Sequence, residues 1–318
     1  MKKFLSLILA LMMVLSLAAC QSSGSDDYYT IGICQIEPHP ALDAATKGFQ
    51  DALIAELGED KLDFVYQHAA GDSNTLNAII NDYVSRNVDL ILANATPVLQ
   101  TAAAATTTIP ILGTSVTEYG VALEIDNFNG LVGGNVSGTS DLAPLEQQAD
   151  MILEWFPDAK NVGLLFCLAE PNSRYQVDVV SAYLQTKGLT VKEFGFSATS
   201  DLAAVTQEAA DWSDVIYVPT DNTVATATGI VDGICRGKVP VIAGEEGICS
   251  GCGIATLCIS YYDLGVATGK MAAKILKGEA DISQMPIEYA PQVTAKYNPE
   301  LCNLLGLTPP EGYVPIGE

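Results

Sequence analysis

Basic residues are scarce in this chain. Across 318 residues, 15 Lys and Arg face 38 Asp and Glu, a formal net charge of −23. Neutralising nucleic-acid phosphates takes basic patches, so nucleic acid is not an expected partner. The acidity reads as a solvated surface. Histidine is scarcer still, with only His39 and His68. There is no H-E-x-x-H, no G-x-S-x-G and no phosphate loop with its lysine, so hydrolytic and nucleotide chemistry lack their usual parts. No enzyme, cofactor or metal site is expected. Only three arginines occur, Arg86, Arg174 and Arg236, with Arg174 alone at a loop, which weakens the case for a sugar site. Beyond the N-terminus no run approaches the ~20 apolar residues that span a membrane.

The N-terminus reads as an address. Lys2 and Lys3 precede an apolar run over residues 4–17, and Leu17-Ala18-Ala19-Cys20 puts small residues before a cysteine. A run this short with small residues at its end is a signal peptide. The Leu-Ala-Ala-Cys ending resembles the bacterial lipobox, which implies that Cys20 becomes the first mature residue and carries lipid on the outer face of the membrane. Export with Cys20 left as a free thiol is the alternative. Residues 21–28, polar and Ser/Gly-rich, read as a flexible tether.

Seven other cysteines remain, an odd number. Cys34, Cys167 and Cys258 lie in apolar strand-like runs, where a thiol acts as a small hydrophobe. Cys249-Ser250-Gly251-Cys252 is a C-x-x-C without a second pair, open to a local disulfide or half of a metal site.

The body of the chain repeats one phrase. Asp214-Val215-Ile216-Tyr217-Val218-Pro219-Thr220-Asp221-Asn222 is a buried strand that turns polar and runs into a helical stretch. Residues 88–97 do the same, ending Asn94-Ala95-Thr96-Pro97. Both lead to a short strand behind a proline, at Pro110 and Pro240. Upstream, Glu37-Pro38-His39 and Glu170-Pro171-Asn172 end matching strands ahead of long helices. Helices are expected over residues 41–57, from a Ser73 or Asn74 cap to 87, and over 143–156 and 263–278, where Gly265 and Gly269 allow close packing. Strand–helix alternation argues for parallel sheets with helices on both faces, here in two doubly wound α/β lobes. Ligands bind such sheets at the carboxyl ends of their strands.

From Tyr29 to about Leu307 the chain resembles the solute-binding lipoproteins of bacterial ABC importers, in the tryptophan- and tyrosine-type family. The matching segments include Ile31-Gly32-Ile33-Cys34-Gln35, His39-Pro40-Ala41-Leu42-Asp43, Gly71-Asp72, Ala95-Thr96-Pro97, Ser140-Asp141-Leu142-Ala143-Pro144, Asn172-Ser173, Val218-Pro219-Thr220-Asp221-Asn222 and Tyr261-Tyr262-Asp263-Leu264-Gly265. The departures are the Cys249/Cys252 pair and Thr117-Glu118-Tyr119. The resemblance implies a type I periplasmic-binding (Venus-flytrap) fold with a multi-crossover hinge. One lobe would comprise 29–139 with 262–288, the other 140–261 with 289–318. It also implies hinge closure on a small solute and service to an ABC permease and ATPase.

A free amino acid, aromatic by this resemblance, offers a carboxylate and an ammonium. Thr96 as N-cap with Pro97 at N1 would hold the carboxylate, with Asn172 and Ser173 offering a second helix terminus. Asp221, with Thr220 and Asn222, would take the ammonium. Ser140 and Asp141 would touch the ligand from the hinge, with Gln35, Gly71 and Glu246 at other strand ends. Tyr66, Tyr119 and Tyr175 are candidate ring walls. A branched-chain amino acid, a nucleoside, a sugar or a sensor role remain the alternatives.

Overall fold

The computed structural model describes residues 28–290 and 292–317, so the expected lipidation site Cys20 and residues 21–27 of the tether lie outside the described residues. The first lobe is built on β1 (Tyr29–Gln35), β2 (Leu62–His68), β3 (Leu90–Asn94), β4 (Ile111–Val116) and β5 (Val136–Ser140). The second uses β6 (Asn161–Cys167), β7 (Thr190–Phe196), β8 (Val215–Val218), β9 (Val241–Ala243) and β10 (Ala255–Cys258). Strand β11 (Glu288–Tyr289) returns to the first sheet, while β12 (Thr294–Tyr297) and β13 (Val314–Pro315) finish the second. The strand orders are β11-β5-β4-β3-β1-β2 and β13-β12-β10-β9-β8-β6-β7. Every pairing is parallel except β10 with β12. Runs such as Leu90–Asn94 and Val215–Val218 are buried throughout, as strands covered on both faces must be.

Helices cover both faces. In the first lobe these are α1 (Pro40–Leu57), α2 (Ser73–Arg86), α3 (Thr96–Ala105) and the short α4 (Tyr119–Ala122). In the second they are α5 (Leu145–Trp155), α6 (Pro171–Thr186), α7 (Thr199–Trp212), α8 (Asn222–Thr226), α9 (Thr228–Cys235) and α10 (Glu246–Cys252). Two more follow, α11 (Tyr261–Leu276) and α12 (Pro299–Leu305). Helix α11 goes back to the first lobe and lies on α1 with backbones touching. A Cβ on Gly265 would sit 2.0 Å from the Ala45 carbonyl oxygen, and one on Gly48 2.1 Å from that of Tyr262. The chain therefore crosses between lobes after Ser140, before Tyr261 and after Tyr289.

Some local expectations shift for stated reasons. Asp72, not Ser73 or Asn74, caps α2, because its carboxylate reaches the Thr75 N–H. The helical stretch after Asn222 divides into α8 and α9 around Ala227. All seven described cysteines are free and buried. Cys249 and Cys252 turn their thiols to the Gly253 and Ile248 carbonyls.

Candidate functional site

At the end of β3, Ala95 rather than Thr96 is the N-cap of α3, with φ at 101°, rare for a residue with a side chain. Thr96 and Pro97 thus stand at N1 and N2. The shift matters, because Thr96 does not cap its helix and its buried Oγ1 is left without a partner. Ser115, near the end of β4, is also left-handed at φ 54°, and its buried Oγ is likewise unpartnered. Beyond β5, Asp141 accepts from the Tyr261 hydroxyl at 2.9 Å through Oδ2, while Oδ1 has no partner. Burial, the largest influence on it, pushes the Asp141 carboxyl up from its usual range. Asn94 pairs with Thr114 and Val116 with Ser140, so these three residues lie on neighbouring strand ends. With strands about 4.8 Å apart they form a row roughly 10 Å long. Left-handed outliers and orphaned polar atoms both cost stability, and their coincidence marks a place where a ligand completes the structure.

The second lobe's strand ends are different. Glu170 accepts from the Asn222 N–H and Nδ2, from Asn172 Nδ2, and from the Thr223 N–H and hydroxyl. Asp221 accepts from the Cys167 N–H at 2.7 Å, the Ser173 hydroxyl at 2.8 Å and the Val224 N–H at 2.9 Å. Burial, then the charge of Glu170, raises the Asp221 carboxyl despite those donors. Asp221 is therefore an internal brace of β6, α6 and α8, a correction to the expectation that it meets an ammonium. Ser173 belongs to the same brace. The Thr220 carbonyl is held by Asn172 and Gln176. Asn172 keeps Oδ1 free of partners while its Nδ2 is anchored.

The other expected residues divide similarly. Gln35 gives its amide to the Glu37 carbonyl and Asp43 and receives Thr46, so it is committed within the first lobe. Gly71 holds a positive φ of 73° with Glu37 Oε1 2.6 Å from where a Cβ would be, a backbone role. The Ser140 hydroxyl pins the crossing, donating to the Thr117 carbonyl and accepting from the Leu142 N–H. Glu246 holds Lys296 through both oxygens at 2.9 Å. Arg174 is paired with Glu193 and Asp178. Tyr119 is a core residue donating to the Thr139 carbonyl. Tyr66 lines an outer groove with Asp43 and Phe64.

Sequence reasoning missed Ser115 and Glu245. The first is polar at the end of an apolar strand, a signal masked by the attention given to the turn after it. Glu245 sits one position before the chosen Glu246, is 3% exposed, and accepts only from the Gly247 and Ile248 N–H groups. Burial foremost, with Glu246 and Asp141 nearby, pushes its carboxyl up to about 7.

The lobes meet over this site. His39 Nε2 lies 3.3 Å from Asn222 Oδ1. Thr96, Glu118 and Val121 of one lobe and Asn172 and Tyr175 of the other line a closed interlobe seam with essentially no free volume. Among the described residues no group of His, Cys, Asp and Glu could hold a metal ion, and no helix is long and apolar enough to cross a membrane.

Two doubly wound lobes, three crossings and unpartnered polar groups at facing strand ends define a two-lobed solute-binding protein. The chain belongs to the ABC transporter substrate binding protein family, whose model matches residues 30–313. That family consists of binding proteins rather than enzymes, works with transporter components and is extracytoplasmic. A tyrosine-binding protein of Clostridioides difficile (strain R20291) is 36% identical over 307 residues, 90% of this chain and 87% of that one. A Streptococcus pneumoniae ABC domain solved with L-Trp superposes with a TM-score of 0.86 at 31% identity, covering 91% of this chain and 100% of that one. A ligand-free, open substrate-binding protein with adhesive properties from Clostridium difficile gives 0.70 at 35% identity, with 91% and 99% covered.

Proposed function

We propose that this protein is the receptor of an importer for an aromatic amino acid, held at the outer membrane face by lipid on Cys20. The observation that carries this reading is the row of buried, unpartnered polar atoms at Thr96, Ser115 and Asp141, faced by Asn172. Its length suits the two charged groups of one amino acid. The hydroxyls of Thr96 and Ser115 can donate to a carboxylate, beside the positive dipole end of α3. Asp141 Oδ1 is a buried anion without a cation, and an ammonium supplies one. Asn172 Oδ1 can only accept, since its Nδ2 is already committed, so it suits the ammonium or a ligand hydroxyl. Val121 and Tyr175 flank Thr96 and Asn172 in that closed seam and would offer apolar wall to a ring once the lobes part. The ammonium thus moves from Asp221, where the sequence put it, to Asp141.

The relatives support the ligand class, one being named for tyrosine and another solved with L-Trp. The better superposition on the Trp complex than on the ligand-free open form, at similar identity, supports contact between lobes as the bound arrangement. Titration of the mature domain with the twenty amino acids in a thermal-shift assay tests this. Stabilisation by Tyr, Trp or Phe alone is expected. A shift only with a branched-chain amino acid, nucleoside or sugar would discard the ligand. For the anchor, Cys20→Ser should release the protein from membranes into the soluble fraction. Retention would remove Cys20 as the lipid site.

A further inference from the structure

One side-chain contact joins the lobes away from the hinge. Two of the three crossings adjoin the ends of β5 and β10. In strand order β1 stands three places from β5, and β8 two places from β10. At strand spacing those offsets are roughly 14 Å and 10 Å. His39 follows β1 and Asn222 follows β8, and their side chains meet, Nε2 to Oδ1 at 3.3 Å. Points far from a hinge separate most when it opens, so opening breaks this contact.

The second lobe fixes which ring nitrogen carries the proton. Glu170 accepts from Asn222 Nδ2 at 2.7 Å and from its backbone N–H at 2.9 Å. With its amide nitrogen on a carboxylate, Asn222 presents its oxygen to His39, and Nε2 must be the donating nitrogen. Nδ1 then holds a lone pair, buried and without a partner among the described residues. A second proton there would be a buried donor with nothing to receive it. Burial, the largest influence, accordingly lowers the proton affinity of His39, against the pull of Asp43 and Glu170. Two further acids stand close. Glu37 lies against Thr226 of α8 and is raised by burial foremost and by the charge of Glu170. Asp221 adjoins Asn222 and is raised as well. Opening returns the ring to water, where a histidine takes its proton at about pH 6.5.

We propose that His39 is a positioning residue: with Asn222 it latches the closed lobes, sets the closed fraction and so the affinity for solute, and lets go when it is protonated. Affinity for a solute held by closed lobes scales with the closed fraction. The open form takes the proton more readily, so acid favours opening and solute affinity falls as pH drops below about 6.5. In stability against unfolding this one histidine opposes the raised carboxyls of Asp141, Asp221 and Glu245, which outnumber it. The proposal rests on the amino-acid receptor reading for its choice of solute.

Calorimetry of the mature protein with L-tyrosine tests it, on the wild type, His39→Phe, His39→Gln, Asn222→Ala and the His39→Phe/Asn222→Ala double variant. At pH 7.5 His39→Phe should weaken binding about fivefold, the worth of one hydrogen bond. His39→Gln, whose amide can donate to the same oxygen, should stay within about twofold of the wild type. The double variant should be no weaker than about twofold below the weaker single one, because both remove the same contact. Between pH 7.5 and 5.5 the wild type should lose up to about tenfold more affinity than His39→Gln, as a group titrating near 6.5 requires. The surrounding carboxyls titrate in both proteins and cancel in that comparison. Equal pH profiles for the wild type and His39→Gln would overturn the latch, and this comparison decides even where His39→Phe does not fold. Single effects that multiply in the double variant would also overturn it, since His39 would then meet the solute itself. If the wild type binds no aromatic amino acid, the solute reading falls by itself and solution scattering of the ligand-free protein judges the latch. The radius of gyration of His39→Phe should then exceed that of the wild type and His39→Gln, and equal radii would overturn the proposal.

Discussion

The strand ends of the two lobes carry similar residues in different conditions. In the first lobe Thr96, Ser115 and Asp141 each keep a buried polar atom without a partner. In the second, Glu170 and Asp221 take every donor that α6 and α8 bring near them. One set is unfinished and the other complete. A complete network rigidifies its surroundings, and an incomplete one gains most from a ligand. The second lobe is thus a rigid face that offers Asn172, and the first is where the solute's charges are received.

The sharpest way to break this contrast is to exchange the fates of two aspartates. Asp141→Ala should cost solute binding on the order of 4 kcal/mol, since it leaves a ligand ammonium buried and unpaired. It orphans one buried donor, the Tyr261 hydroxyl, so its melting temperature should fall less than that of Asp221→Ala. Asp221→Ala should do the reverse. It orphans the Cys167 and Val224 N–H groups and leaves the Ser173 hydroxyl only the Thr220 carbonyl at 3.4 Å, a loss of about 3 kcal/mol of stability, or several degrees of melting temperature. Calorimetry and thermal melts on both variants separate the outcomes. If Asp221→Ala abolished binding with its melt unmoved, the two lobes' roles would have to be interchanged.

The fold was legible because its signals are local and redundant. Buried runs such as Leu90–Asn94 and Val215–Val218, polar strand ends, and Gly265 and Gly269 on one helix face all point to the same two-lobed sheet. The site was legible only to the level of the loop. Thr96 and Asp221 occupy matching places in a repeated phrase, and nothing in the phrase says which has its hydrogen bonds satisfied. That depends on Glu170 and Ser173, brought in by a different strand and helix. Glu245 and Glu246 are likewise adjacent acids in sequence. Only the position of Lys296 on β12, an antiparallel strand the sequence reading did not contain, decides which of them is neutralised.

A smaller effect is a dependence of stability on pH. The Glu245 carboxyl is raised from 4.5 to about 7, with Asp141, Glu246, Tyr261 and the thiols of Cys249, Cys252 and Cys258 among the titratable groups around it. A raised acid binds its proton more tightly folded than unfolded. Its contribution is full below about pH 4.5 and is lost as pH rises through about 7. Asp141 and Asp221 are displaced in the same direction. Carboxyls held low, such as Asp72 and Asp214, change stability only at more acid pH. The melting temperature of the ligand-free protein should therefore fall between pH 5 and 8.5, and Glu245→Gln should flatten part of that slope. A melting temperature that rises across this range would contradict the burial of uncompensated carboxylates between the lobes.

The smallest change is also the most selective. Thr96→Val keeps the shape of the side chain and removes a hydroxyl that has no partner within the protein. A buried polar group without a hydrogen bond is a cost to the folded state, so the melting temperature should hold or rise slightly. If that hydroxyl receives the solute's carboxylate, affinity should fall by about 1 kcal/mol, roughly fivefold. Opposite signs in the two assays are what a residue reserved for a ligand produces. A residue of the second lobe's network, such as Ser173, should lose stability first, because its hydroxyl already holds Asp221. Thr96→Val with both quantities unchanged would place the carboxylate elsewhere along the row, at Ser115, where the same pair of measurements on Ser115→Ala would find it.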